Sequence, residues 1–175
     1  MQIQPEHGVF LRSATLPVLK NEQRITKTVI EAMPAGRMDY RPDPCAKSAM
    51  ELAWHIASAQ NFFLRSIVAG EFDFSSKPRP ESIQTPTDVA NWYDEAFSRN
   101  VAAIEAMTPE QLVKIIDFKG FIQLPAVAYV SFHMHHEVHH RGQLSTYLRP
   151  MGGKVPSIYG ESYDSAEAKK AAGAA

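Results

Sequence analysis

Five of the seven histidines fall in one eight-residue stretch: His133, His135, His136, His139 and His140. On an α-helix each residue turns about 100° from the last, so positions three and four apart share a face. With His136 as the zero direction, His140 lies about 40° away and His133 about 60° away, and Tyr129, Gln143 and Tyr147 share the sector. His135 and His139 point well off it. A stripe that faces a helical core should be mostly aliphatic. This one stacks three imidazoles, and burying such rings without partners costs roughly a few kcal/mol each. A metal ion removes that penalty, since imidazole suits Zn, Ni, Fe and Cu. The competing reading is a histidine-rich face left in solvent. The His136–His140 pair at i, i+4 within so dense a run favours the metal.

A third ligand is available from another part of the chain. His55 is the only histidine outside this run and the first seven residues. It sits on the apolar face of Leu52-Ala53-Trp54-His55-Ile56-Ala57. Alone it reads as a core histidine; with His136 and His140 facing the same core it reads as a ligand. Three protein ligands leave a coordination position open to water or substrate, which marks catalytic sites more than structural ones.

His136-Glu137-Val138-His139-His140 also matches H-E-x-x-H, in which the glutamate serves as general base of a zinc peptidase. The longer H-E-x-x-H-x-x-G-x-x-H pattern fails, because Gln143 and Thr146 occupy the glycine and histidine positions. Glu137 sits about 100° off the ligand face and reads as a helix-capping or surface carboxylate. Arg141, about 140° from His136, reads as a surface or packing arginine. His133 is either a fourth ligand or a pocket-lining ring bonded to Tyr93 or Tyr147. Gln143, one turn beyond His140, could orient a ligand imidazole or a bound group.

Four helical stretches must position these residues, at about 15–33, 49–68, 87–107 and 125–148. Ser48 and Glu51 have the spacing of a capping box for the second, and Gly70 closes it. Thr87 or Asp88 caps the third. Residues 70–86 form a loop long enough to need a reason, and a crossover that lets the second and third helices run parallel supplies one. Between the third and fourth helices, 112–124 reads as two short apolar runs around Asp117-Phe118-Lys119-Gly120, suited to a small hairpin. Trp54, Phe62, Phe63 and Trp92 read as core, with lining of an apolar substrate pocket as the alternative. The expected fold is an all-α four-helix bundle spanning 1–165, followed by a frayed alanine-rich tail over 166–175.

At 175 residues the chain can bury a sizeable core without disulfides. Its one cysteine, Cys45, directly follows Pro42-Asp43-Pro44 and cannot form an intramolecular bridge. A formal net charge of -1 and the lack of a basic stripe argue against nucleic acid. No apolar run approaches the ~20 residues of a membrane span. The opening residues, with Glu6 and His7, lack the order of a signal peptide, so cytoplasmic residence is expected.

His136-x-x-x-His140-Arg141-Gly142-Gln143-Leu144, followed by Tyr147-Leu148-Arg149 and Gly152, resembles the closing motif of the DinB/YfiT-like proteins. His55 within Leu52 to Ile56 matches that family's other ligand position, and Tyr40-Arg41-Pro42 resembles its usual loop. Phe132 departs from the pattern, since relatives often carry a histidine there. The resemblance implies a four-helix bundle with one long crossover and a divalent metal (nickel, zinc or iron) held by His55, His136 and His140. It implies a homodimer and a small-molecule substrate. Relatives include thiol transferases and isomerases that use a low-molecular-weight thiol, and proteins regarded as metal-dependent hydrolases. The expected chemistry is a metal that activates water, or holds a thiol as thiolate, in its open position. A non-catalytic metal-binding stress or interaction protein would share the same ligands.

Overall fold

The computed structural model describes residues 3–75 and 78–173. Its main elements are α1 (Pro5–Glu31), α2 (Ala49–Ala69), α3 (Pro86–Glu105), a short α4 (Pro109–Val113), the strands β1 (Ile115–Phe118) and β2 (Ile122–Pro125), α5 (Ala128–Leu148) and α6 (Tyr163–Gly173). A single 3-10 turn, Ala35–Arg37, lies between α1 and α2.

The ends of these elements follow local chemistry. Ser48 Oγ accepts from the Glu51 backbone N–H at 3.2 Å, and the Glu51 carboxylate accepts from the Ser48 N–H at 2.7 Å. This is the reciprocal box the spacing predicts. Gly70, at φ 72°, closes α2 in the left-handed region that a side chain disfavours. The cap of α3 is Thr85, not the expected Thr87 or Asp88: Pro86 takes the first helical position and Asp88 completes the box. The first helix starts at Pro5, ten residues before the expected start. Gly8 and Pro17 discourage a helix there by propensity, but α1 packs along α4, where a Cβ on Gly8 would meet Val113 Cγ1 at 2.8 Å. Tertiary contact overrides propensity in these turns. Between α4 and α5, β1 and β2 pair antiparallel with Ile116 opposite Leu124.

Helices α1, α2, α3 and α5 form the four-helix bundle, each packed against two others. Trp54 meets Trp92 near the start of α2 and α3, and Asn61 bonds Asn100 further along, so these neighbours run parallel. The 70–85 connection is therefore the long crossover. Helix α1 is antiparallel to α3, since Lys27 pairs with Asp94 and Lys20 with Glu105.

The core falls into two apolar clusters. One gathers Ile30, Leu52, Ile56, Val89 and Leu148; the other gathers Leu19, Leu64, Ile104, Leu112 and Val130. Between them lies a belt of buried polar side chains that includes Glu22, Thr26, Gln60, His133, Glu137 and Arg141. Buried polar groups require partners, and this belt is where the histidines sit. The segment expected to fray, 166–175, falls largely on α6, none of whose residues is buried. Residues 174–175 of that segment lie outside the described residues. No helix among the described residues is long and apolar enough to cross a membrane.

Candidate metal centre

His136 and His140 stand one turn apart on α5, and α2 brings His55 up against both. The three rings, each half-buried, have donor nitrogens that all lie within 4.8 Å of one another. His55 Nε2 and His140 Nε2 are 3.1 Å apart, and the ring centroids are separated by 4.4 to 5.1 Å. Bonds of ~2.0–2.1 Å to one tetrahedral ion separate nitrogen donors by about 3.3 Å. The His55–His140 spacing is close to that value.

The protonation state of the rings suits a ligand set. Burial, followed by the neighbouring His140 and Lys47, pushes His55 down to about 4. Burial, followed by the surrounding histidines, pushes His136 down to about 4. Burial also lowers His140, against the opposing pull of its hydrogen bond to Gln143. All three are neutral at pH 7 and offer lone pairs.

Gln143 selects which lone pair His140 presents. Its Oε1 accepts from His140 Nδ1 at 2.7 Å, and its Nε2 donates to His139 Nε2 at 3.1 Å. The proton on Nδ1 leaves His140 Nε2 bare and aimed at His55. His136 Nδ1 is buried without a hydrogen-bond partner. Close-set neutral imidazoles, one with an orphaned nitrogen, fit a divalent transition metal of the kind imidazole prefers.

Four aromatic residues expected in the core do pack there, Phe63 within it and the other three partly buried against it, and all four also line the approach to these rings. Trp54, Phe62, Phe63 and Trp92 border a cavity of about 730 Å3 that also reaches His55 and His136. Phe74, Pro78 and Pro80 from the crossover form another part of its wall, which gives the long loop a role.

His133 does not join the three. It is fully buried, with Nε2 3.0 Å from Glu137 Oε2, a close pairing that is not aligned as a hydrogen bond. It reaches neither Tyr93 nor Tyr147 directly; Tyr93 donates instead to Glu137 Oε1 at 2.6 Å.

Glu137 is not a surface carboxylate. It is 1% exposed, and Thr26 donates to the same Oε1 at 2.8 Å. Burial alone would raise its pKa, but His133, Tyr93 and Thr26 outweigh burial and hold it low. Arg141 is equally buried. Its Nη1 donates to Glu22 Oε2 at 2.6 Å and its Nη2 to Tyr159 OH at 2.6 Å. The helical wheel gave both directions correctly. It could not show that α5 is covered on two sides, with the ligand stripe against α2 and the Glu137–Arg141 stripe against α1. Glu22 and Tyr159 carried no signal in the sequence, because their partner is distant in the chain.

The comparisons with known proteins agree with this architecture. The sequence matches the model of the DinB family over residues 13–171. It is 30% identical to the uncharacterized protein YjoA of Bacillus subtilis over 134 residues, covering 75% of this chain and 85% of YjoA. The crystal structure of that DinB-like protein superposes with a TM-score of 0.67 at 27% identity, covering 82% of this chain and 96% of YjoA. A DinB-like protein from Bacillus cereus shares the fold with a TM-score of 0.71 at 23% identity, over 84% of this chain and 97% of its own. YfiT from Bacillus subtilis, described as a probable metal-dependent hydrolase with an unusual four-helix bundle topology, shares it with a TM-score of 0.62 at 15% identity, over 82% and 89% of the two chains. The match over most of its length shows that this chain belongs to the DinB family.

Proposed function

We propose that this protein is a metal-dependent enzyme in which His55, His136 and His140 hold one divalent ion (nickel, zinc or iron), acting on a small molecule as a hydrolase or as a transferase of a low-molecular-weight thiol. The observation that carries the reading is the convergence of three neutral imidazoles, from two helices, at the end of a cavity of about 730 Å3. A purely structural metal site is normally closed by four protein ligands; a three-donor set that opens on a cleft favours catalysis over storage or bracing. The description of YfiT as a probable metal-dependent hydrolase is consistent with this.

The ion, when bound, supplies Lewis acidity that lowers the pKa of a water or thiol toward neutrality. The chain's own residues have separate tasks. Gln143 keeps the His140 proton on Nδ1, so the Nε2 lone pair stays available. The apolar side chains of the cleft lower the local polarity beside the rings, which strengthens electrostatic interactions there. The H-E-x-x-H peptidase reading lacks support, because Glu137 is buried and its Oε1 already accepts bonds from Thr26 and Tyr93. Homodimer formation and cytoplasmic residence belong to the same proposal.

The test is a screen of the nickel-, zinc- and iron-loaded protein for ester hydrolysis and for thiol conjugation to electrophiles, with His136→Ala as control. Turnover that needs the metal and disappears in the variant supports the reading. A fully loaded protein inactive in both reaction classes supports a non-catalytic metal-binding role instead.

A further inference from the structure

Two tryptophans and five phenylalanines border the cleft beside the histidines. Trp54 and Trp92 face each other at a centroid distance of 4.7 Å. Phe62 lies 5.4 Å from Phe74, Phe74 lies 5.3 Å from Phe118, and Phe118 lies 6.0 Å from Phe132. Phe74 and Phe132 remain 39% and 36% exposed, so rings that could have been buried stand open. On α2, His55, Ala59 and Phe62 follow one face, and the seven steps from His55 to Phe62 rise about 10 Å. A volume of about 730 Å3 lies within the range of sites that take drug-sized ligands.

We infer that the substrate is a small molecule with a flat aromatic body, which lies along this cleft and presents its reactive group at the His55–His136 end. The inference rests on the metal-enzyme reading above and specifies its substrate class. Aromatic walls attract aromatic ligands beyond simple area burial, through offset and edge-to-face contacts. A sugar or other densely polar molecule would lose hydration against the aromatic part of the wall. The polar side chains Asn61, Arg65 and Asp73 also border the cleft, but Arg65 and Asp73 are paired with each other at 3.6 Å and Asn61 is bonded to Asn100. Only His55 and His136 of the three histidines border the cavity, so the aromatic body approaches the centre from the α2–α5 side, away from His140 and Gln143.

The chain has two tryptophans and both line the cleft, so their fluorescence reports its occupancy directly. The experiment titrates the metal-loaded full chain with 4-biphenylmethanol, an uncharged two-ring probe, exciting tryptophan at a wavelength the probe does not absorb. Sucrose and 1-nonanol serve as polar and aliphatic comparisons, and metal content is measured on the same samples. Saturable binding of the biphenyl probe is expected, with none for sucrose and at least about tenfold weaker binding for 1-nonanol. Phe132→Ser should weaken probe binding about tenfold. Phe74→Ser, at the other exposed ring, provides a second reading if the first variant loses its helical circular dichroism. The inference is overturned if the parent does not bind the biphenyl probe, if 1-nonanol binds as tightly, or if both folded variants bind it as the parent does. Metal bound without probe binding refutes the cleft alone, and probe binding without metal refutes the metal centre alone.

Discussion

Lowering the pH from 7.5 to 5.5 sets protons against a metal ion for the same ring nitrogens. An ordinary histidine with a pKa of about 6.5 is about 90% protonated at pH 5.5, so each such ligand weakens metal binding about tenfold there. Three ordinary ligands together would lose about a thousandfold. Here burial, with nearby positive groups, holds His55 and His136 at about 4. Only roughly 3% of each is protonated at pH 5.5, so their contribution to the loss is negligible. His140 is also lowered, so its share falls short of the ordinary tenfold. Zinc affinity should therefore fall by less than about tenfold between pH 7.5 and 5.5. The assay is competition against a chromophoric chelator corrected for its own protonation. Calorimetry in two buffers of different ionisation enthalpy, at pH 5.5, counts the protons released. Less than one proton per zinc is expected, against about 2.7 for three ordinary histidines. A loss near a thousandfold, or release of two or more protons, would refute the electrostatic account. The same shifts fix a sign for stability. Between about pH 6.5 and 4 the unfolded chain takes up protons that the folded, metal-free chain does not. The stability of the metal-free protein is therefore fully present above about 6.5 and declines as pH falls toward 4, which urea unfolding across that window will read.

Gln143→Leu should weaken zinc binding about ten- to a hundredfold in the same competition assay with the fold intact, because His140 loses the acceptor that fixes its tautomer. Arg141→Met should destabilise the protein by about 3–5 kcal/mol in urea unfolding, since Glu22 is left buried without its cation; adding Glu22→Leu should recover much of that loss. Glu137→Gln keeps an oxygen for Thr26 and Tyr93, so metal content should be unchanged by elemental analysis; loss of the metal would mean that Glu137 acts at the centre.

Much of the bundle could be read before any coordinates, because helical periodicity and capping act locally. Ser48 with Glu51, Gly70 and the i, i+4 pair His136–His140 are each decided within one or two turns, and the structure places them as their spacing predicts. His55 was harder to read, since only the arrival of α2 opposite α5 distinguishes it from a core histidine. The polar belt was least legible. Glu137 and Arg141 look like surface residues on a helix judged alone, and they become buried because Glu22, Thr26 and Tyr93 come from helices far away in sequence. The aromatic residues serve two purposes that one helix cannot separate. Trp54 and Phe62 pack against the core as expected, and they also border a cleft whose other wall, with Phe74, Pro78 and Pro80, comes from the crossover. The early start of α1 has the same origin, since contact with α4 outweighs the weak helix preference of Gly8 and Pro17.

The central claim is that one ion bridges α2 and α5. Elemental analysis of the protein purified without a histidine tag, beside His55→Ala and His136→Ala, tests it most directly. The account predicts about one equivalent of a transition metal per chain in the parent and its loss from both variants. A parent that takes up no metal even after reconstitution, or a His55→Ala variant that keeps a full equivalent, would contradict it.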